Sequence, residues 1–291
     1  MREYLISFFS EFEYENSDAE VLLNAYDCIC SSPEAVVLWE EALSEYERDV
    51  RCDYKMILAK AGEAAEKSAV HEYTAKLLIF ICMSKRLRSL YVERGVDLSI
   101  YHNTMLDLKY KLDECKLIKG VVGSFVASWF PRFFYLDRVA LGRLQFEINK
   151  FGKNYEKNGV ILTPDSPVIN IHIPRTGTPF SPEKCDEAFA MAKEYFGSNF
   201  DGKCVFHCSS WLLYPEHMNI LSEKSNVYKF MSRFDIFESK VDETNVNLWR
   251  IFDTDERDVD KLPTDSFLRR AYVDHLKNGG CLGGGAGIFF M

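Results

Sequence analysis

The feature that most restricts the fold of this 291-residue chain is a change of hydrophobic period near Leu141. Before it, from about Asp18 to Lys116, apolar residues recur every three to four positions and Pro and Gly are nearly absent, the pattern of packed amphipathic helices. Ser32-Pro33-Glu34 reads as a helix start. A serine oxygen there accepts from free N–H groups of the first turn, and proline sits where its missing N–H costs nothing. Val36, Val37, Ala42 and Leu43 continue that stripe, and Lys67 to Arg94 carries another through Val70, Leu77, Leu78, Ile81 and Leu90. Lys85, Arg86, Arg88 and Arg94 around its end suit a solvated face and a helix carboxyl end. Four or five helices are expected.

From Leu141 the period is two. Leu144, Phe146 and Ile148 alternate with Arg143, Gln145 and Glu147, as in a strand with one covered face. Apolar runs at Val160 to Leu162 and Val168 to Ile173 predict two more strands. Ser181-Pro182-Glu183 repeats the helix-start signature ahead of Cys185, Ala188, Phe189, Ala192 and Phe196. A strand at Cys204 to Cys208, helical material from about Glu216 to Phe230, and strands around Phe234 to Lys240 and Asn247 to Asp253 follow. A helix at Thr264 to Lys277 and a strand at Gly287 to Phe290 end the chain. The glycines from Gly279 to Gly287 read as a flexible turn, since no helix follows for a phosphate loop to open. The fold class is α+β: an all-helical domain over residues 1–136, including an apolar connector, then a mixed β-sheet domain flanked by helices over 137–291. The connector, broken by Gly120, Gly123 and Pro131, reads as buried, so the two halves are expected to pack together.

Composition excludes several classes. The formal charge of −9 is concentrated in residues 1–50, which hold 13 Asp or Glu against two Arg. No basic stripe with interleaved aromatics appears elsewhere, so nucleic acid is not expected as a partner. No apolar run reaches the ~18 residues of a membrane helix. Met1-Arg2-Glu3-Tyr4, followed by Glu11, Glu13 and Glu15, does not read as an export signal, and a cytoplasmic protein is expected. Nine cysteines without repeated CxxC spacing read as reduced thiols. Cys204, His207 and Cys208 alternate within one strand and cannot all converge, so no metal site is expected.

The element order from Leu141 matches a GNAT-type acyltransferase after its first strand and helices. Leu141-Gly142-Arg143-Leu144-Gln145-Phe146-Glu147, Ile171-His172-Ile173-Pro174, Cys208-Ser209-Ser210-Trp211-Leu212-Leu213, Ser225-Asn226 and Met231-Ser232-Arg233-Phe234 together resemble a two-domain family. That family joins a helical N-acyltransferase amino-terminal part to a GNAT-like carboxy-terminal part. The resemblance implies acyl-CoA (coenzyme A) as co-substrate, no metal, and a small-molecule or peptide amine acceptor. It places the diphosphate between the strand Val168 to Ile173 and the helix that opens near Ser181. A helix amino terminus suits an anion, Arg175 adds a charge, Gly177 allows close approach, and Thr178 and Ser181 supply hydroxyls. The loop departs from the usual GNAT pattern, because the Arg-to-Gly spacing is one residue short and Pro179 lacks an N–H donor. An ordinary strand-to-helix turn is the competing reading.

In the implied mechanism the amine attacks the thioester directly. The protein removes a proton, polarises the carbonyl through backbone N–H groups of Ile171 to Ile173, and protonates the leaving thiolate. His172 is the first candidate base, since its ordinary pKa suits neutral pH, unless it satisfies a buried hydrogen bond instead. Glu147 is the second, unless it belongs with Arg143 and Gln145 to a solvated or salt-bridged strand face. Tyr228 is the candidate acid. Cys208, Ser209 and Trp211 are placed at the acceptor cleft, with packing as the favoured reading of Trp211, Leu212 and Leu213, and a Cys208–His172 nucleophile is a further option. Arg233 either orients an acceptor carboxylate or pairs with Asp235. Two other readings stay open: a non-catalytic coenzyme A-binding or interaction module with a degenerate acyltransferase fold, and a metal-dependent hydrolase using His172, His207 and Cys208.

Overall fold

The computed structural model describes residues 1–157 and 159–291 and divides into two compact units, Met1–Val139 and Ala140–Met291. The first is helical: α1 (Arg2–Glu11), α2 (Asn16–Ser31), α3 (Pro33–Arg48), α4 (Tyr54–Lys67), α5 (Glu72–Glu93), α6 (Leu98–Lys119) and the single turn α7 (Pro131–Phe134). Ser32 caps α3 by accepting from the Ala35 N–H at 3.3 Å, as its sequence predicts. The stripe expected from Lys67 to Arg94 is interrupted. α4 stops at Lys67, Ala69 takes φ 53°, and the His71 ring caps α5. α5 is buried nearly all round, including Leu77 through Met83, and so forms the centre of this unit. Arg86 and Arg88 pair with Glu93 and Glu11 at the surface. The aromatic connector is part of the same core: Phe130, Phe133 and Phe134 are fully buried, with the Phe134 ring 4.9 Å from Phe80 and 5.7 Å from Tyr46. Among the described residues no single helix is long and apolar enough to cross a membrane.

The sheet holds β1 (Arg138–Leu141), β2 (Leu144–Lys150), β5 (Pro167–His172), β6 (Val205–Ser210), β8 (Leu282–Phe290) and β7 (Asp235–Asp242), side by side in that order; β3 (Tyr155–Lys157) and β4 (Val160–Leu162) form a separate hairpin. β5 and β6 run parallel, and their crossover is α8 (Pro182–Phe196). Its Phe189 ring lies 6.2, 5.5 and 4.9 Å from those of Phe146, Phe206 and Phe289. Side chains alternate along a strand, so Ile169, Ile171 and Cys208 share this α8 side, whereas Glu147, Asn170, His172 and His207 occupy the other.

Three expectations change. The helical stretch from Glu216 to Phe230 is two short helices, α9 (His217–Ile220) and α10 (Asn226–Met231). The strand expected at Asn247 to Asp253 is α11 (Trp249–Phe252), followed by α12 (Phe267–Lys277). Leu248, Ile251 and Phe252 are spaced i, i+3, i+4 and pack with Tyr272, Val273 and Leu276 of α12, so a helical period decides a run too short to classify by hydrophobicity. The glycine stretch is not a flexible turn. From Leu282 it is strand β8, paired with both β6 and β7. A 3₁₀ turn at Trp211–Leu213 crosses so close that a Cβ on Gly285 would lie 2.1 Å from the Leu213 carbonyl oxygen, and one on Gly287 would lie 2.9 Å from the Phe234 Cβ. Only glycine lets another backbone approach a strand this way.

Gly285→Ala is therefore expected to lower unfolding free energy by about 1–3 kcal/mol, the scale of overpacking. Gly284→Ala, whose Cβ meets nothing nearer than 3.5 Å, should stay within about 0.5 kcal/mol of the parent. Urea denaturation of the two variants, read as a midpoint change at constant slope, checks this.

Candidate active site

Register builds the site. β2–β5 pairing sets Glu147 opposite Asn170 and Gln145 opposite His172, while β5–β6 pairing sets Asn170 opposite His207. A polar cluster therefore crosses three strands on the side away from α8. His172 Nε2 lies 2.9 Å from Glu147 Oε1, and the same oxygen accepts from Asn149 Nδ2 at 3.1 Å and Asn170 Nδ2 at 3.4 Å. The Glu147 side chain is 4% exposed and that of His172 17%. The strand face at Glu147 is thus buried rather than solvated, and the two candidate bases are one hydrogen-bonded pair. An ionised carboxylate can only accept, so His172 donates from Nε2 and a neutral ring carries its basic lone pair on Nδ1.

β5 and β6 keep registered pairs only at Ile169–Phe206 and Asn170–His207, although β5 continues to His172 and β6 to Ser210. Past these pairs β6 offers no registered partner to residues 171–173. Ile171 is buried on the α8 side, and Ile173 is half-buried just beyond the strand. Arg143 donates to the Pro174 carbonyl at 2.8 Å and so ties down the exit of β5.

The loop that follows is furnished with its own partners. Arg175 forms two bonds to Asp253, at 2.7 and 2.9 Å, and Asp253 also accepts from Arg269. Gly177 has nothing within 4 Å of its Cβ position, so its backbone is open to approach. The Thr178 hydroxyl is 2.7 Å from that of Thr176. Ser181 caps α8 through the Lys184 N–H at 3.4 Å, Pro182 has no N–H, and the exposed Glu183 carboxylate is held below its ordinary range by its own backbone N–H and the Ser181 hydroxyl. The α8 amino terminus already faces an anion, that of Glu183.

Other expected residues are placed differently. Cys208 is fully buried on the α8 side, and burial pushes its thiol up to about 12, so it neither meets His172 nor serves as a nucleophile at neutral pH. Opposite facing of Cys208 and the two histidines also removes the hydrolase reading, and no cluster of three His, Cys, Asp or Glu among the described residues could hold a metal ion. Arg233 pairs with Asp186 of α8 rather than with Asp235, which bonds Lys157 and Tyr155. Trp211 packs against the cluster of α11 and α12, with its ring 5.7 Å from His217. Ser209 is exposed near the end of β6 on the His172 side. Tyr228 is half-buried in α10, and the hydrogen bonds that assemble Glu147 and His172 do not include it. Sequence reasoning missed Asn149 and the linking role of Asn170 and His207. Shared parity of Asn170 with His172 was visible, but the β5–β6 register that adds His207 was not.

These features, a sheet with one parallel pair whose register ends beside a buried acid–imidazole pair and a crossover helix behind it, define a GNAT-like acyltransferase fold. Residues 3–136 match the N-acyltransferase N-terminal domain and residues 139–289 match the GNAT-like C-terminal domain. The chain belongs to the family built from these two domains. Among solved structures it is similar to an acyltransferase in complex with decanoyl-CoA and teicoplanin, with TM-score 0.74 and 22% identity over 98% of this chain and 86% of that one. It is also similar to an acyltransferase mutant in complex with octanoyl-CoA, with TM-score 0.75 and 21% identity over 99% and 87%. At that identity the likeness establishes the fold. No curated protein matches the sequence.

Two imidazoles, His217 fully buried and His207 half-buried, make stability pH-dependent. Burial pushes both His207 and His217 down to about 4, and His217 bonds the Leu212 carbonyl and the Tyr272 hydroxyl. Unfolding restores an ordinary value near 6.5. Below that value the unfolded chain binds protons that the folded one refuses, so stability is full above pH ~6.5 and is lost as pH falls toward 4, by on the order of 2–3 kcal/mol per histidine. Urea midpoints between pH 7.5 and 5 should fall steadily, and His207→Asn should flatten the slope.

Proposed function

We propose that this protein transfers an acyl group from acyl-CoA to an amine, with His172 as the base. The observation that carries this is the 2.9 Å contact between His172 and buried Glu147, just past the last registered β5–β6 pair. The amine nitrogen bonds the thioester carbonyl carbon as the C–S bond breaks, and the amine proton passes to His172 Nδ1. Glu147 stabilises the imidazolium that results, as an orienting carboxylate does in a nucleophile–base–acid triad. Backbone N–H groups in the 171–173 segment, beyond the last β6 pair, are the candidates to polarise the carbonyl. The thiolate then takes a proton, for which Tyr228 is the candidate donor. Ser209 borders the acceptor side, and the glycopeptide bound by the similar structure supports a small-molecule or peptide amine as acceptor. Nine unpaired cysteines support a reducing compartment such as the cytoplasm.

Calorimetry with coenzyme A and decanoyl-CoA should give saturable heat, and thiol release with an amine panel should give turnover. His172→Gln should lower kcat by about 10²–10⁴-fold, the range for loss of a general base, while leaving the decanoyl-CoA KM within a few-fold. Absence of heat at hundreds of micromolar ligand, or wild-type turnover by His172→Gln, removes this reading.

Placement of the diphosphate at the α8 amino terminus makes a separate demand. It must displace the Glu183 carboxylate, so Glu183→Ala should tighten coenzyme A binding several-fold at low salt, with a smaller gain at high salt. Unchanged affinity moves the diphosphate away from α8.

A further inference from the structure

Two side chains inside the polar cluster take no part in the steps above, Asn170 and His207. The Asn170 amide is bracketed: Oδ1 lies 2.9 Å from His207 Nδ1, and Nδ2 lies 3.4 Å from Glu147 Oε1 and 3.2 Å from His172 Nε2. Donor rules fix the direction of each bond. Glu147 only accepts, so the amide nitrogen faces it; the amide oxygen only accepts, so His207 carries its proton on Nδ1 and its lone pair on Nε2. The reversed amide would set its oxygen against the carboxylate. His207 is held in place by rings on two sides, Phe151 at 5.8 Å and Phe237 at 6.2 Å, and its buried Nε2 has no hydrogen-bond partner among the described residues. Burial, foremost, and the nearby Lys153 charge push its pKa down to about 4, so it stays a neutral, fixed donor.

We propose that Asn170 is a positioning residue for the Glu147–His172 pair and that His207 fixes the orientation of Asn170. The inference rests on His172 acting as the base. An N–H aimed at Glu147 Oε1 stabilises the ionised carboxylate, and the same group beside His172 Nε2 opposes a positive charge on that ring. The N–H dipole lowers the proton affinity of both groups, which keeps His172 neutral between turnovers, and its bond to Glu147 Oε1 disfavours transfer of the proton from the imidazole to Glu147 during them. Among the described residues, the titratable and charged groups around the cluster include Glu147 from β2, His207 from β6, Lys153 from the segment after β2 and Glu238 from β7. The last two are paired with each other.

Asn170→Leu removes the donor while keeping the branching and the number of side-chain heavy atoms. The acid-limb pKa of kcat/KM is expected to rise by about half to one unit and kcat to fall about tenfold, with the decanoyl-CoA KM within twofold. His207→Asn, which keeps a donor where Nδ1 stands, should retain the parent pKa, whereas His207→Leu should shift it as Asn170→Leu does. This second pair carries the comparison if Asn170→Leu does not fold. Nitrogen NMR of the His172 ring reads the same pKa without turnover. An unchanged His172 pKa in folded Asn170→Leu and His207→Leu overturns the proposal. Wild-type turnover by His172→Gln would instead overturn the base assignment beneath it.

Discussion

A carboxylate almost sealed from water in the middle of a β-sheet is the constraint around which the second unit is arranged. Glu147 is 3% exposed, and an unpaired charge at that depth would cost several kcal/mol. Its neighbours answer that cost with donors from three places: Asn149 two residues along the same strand, Asn170 directly across on β5, and His172 diagonally across. The last two depend on the β2–β5 register. A slip of one residue would present Ile169 or Ile171 to the carboxylate and send both β5 donors, Asn170 and His172, to the α8 side. The chemistry and the strand alignment are therefore the same requirement.

The two faces of the sheet divide the work. On the α8 side the contacts are aromatic and aliphatic, with Phe189 set among Phe146, Phe206 and Phe289 and the Phe206 and Phe289 rings stacked 4.8 Å apart. This face supplies apolar burial and makes few polar demands. The other face can then hold groups that a core would otherwise reject. Cys208 and His207, adjacent in sequence, show the division clearly: one is an inert buried thiol, the other a ring held by a hydrogen bond. Glycine at positions 285 and 287 completes the arrangement, because the 3₁₀ turn after β6 and the chain entering β7 press on β8 where side chains would stand.

Helix starts were legible because their signal is local: Ser32 and Ser181 both cap as their sequences imply. The period-two segment at Leu144 to Ile148 was legible for the same reason. What the sequence hid was pairing. Glu147 and His172 each stood out alone, as a strand carboxylate and a strand imidazole, but 25 positions separate them and only the antiparallel register joins them. The Gly279 to Gly287 stretch was misread because glycine has low strand propensity, and a strand chosen for close backbone approach looks like a turn until the crossing segment is known. The Trp249 helix was hidden by brevity.

The loop from Pro174 to Ser181 shows a further consequence of charge burial and pairing. Arg175, the one basic residue in it, is matched by Asp253, which Arg269 shares, and the first turn of α8 is matched by Glu183. Carboxylates thus occupy the positions in which an anionic ligand would find both a guanidinium and a helix amino terminus. Binding there exchanges one anion for another, so the electrostatic gain is the difference between a diphosphate and the displaced carboxylates, not the full attraction of the cations. An acyl donor held on those terms must draw much of its affinity from the uncharged part of the molecule. The registered β5–β6 pairing stops at Asn170, two residues before His172, and that part of the donor would have to end beside this point.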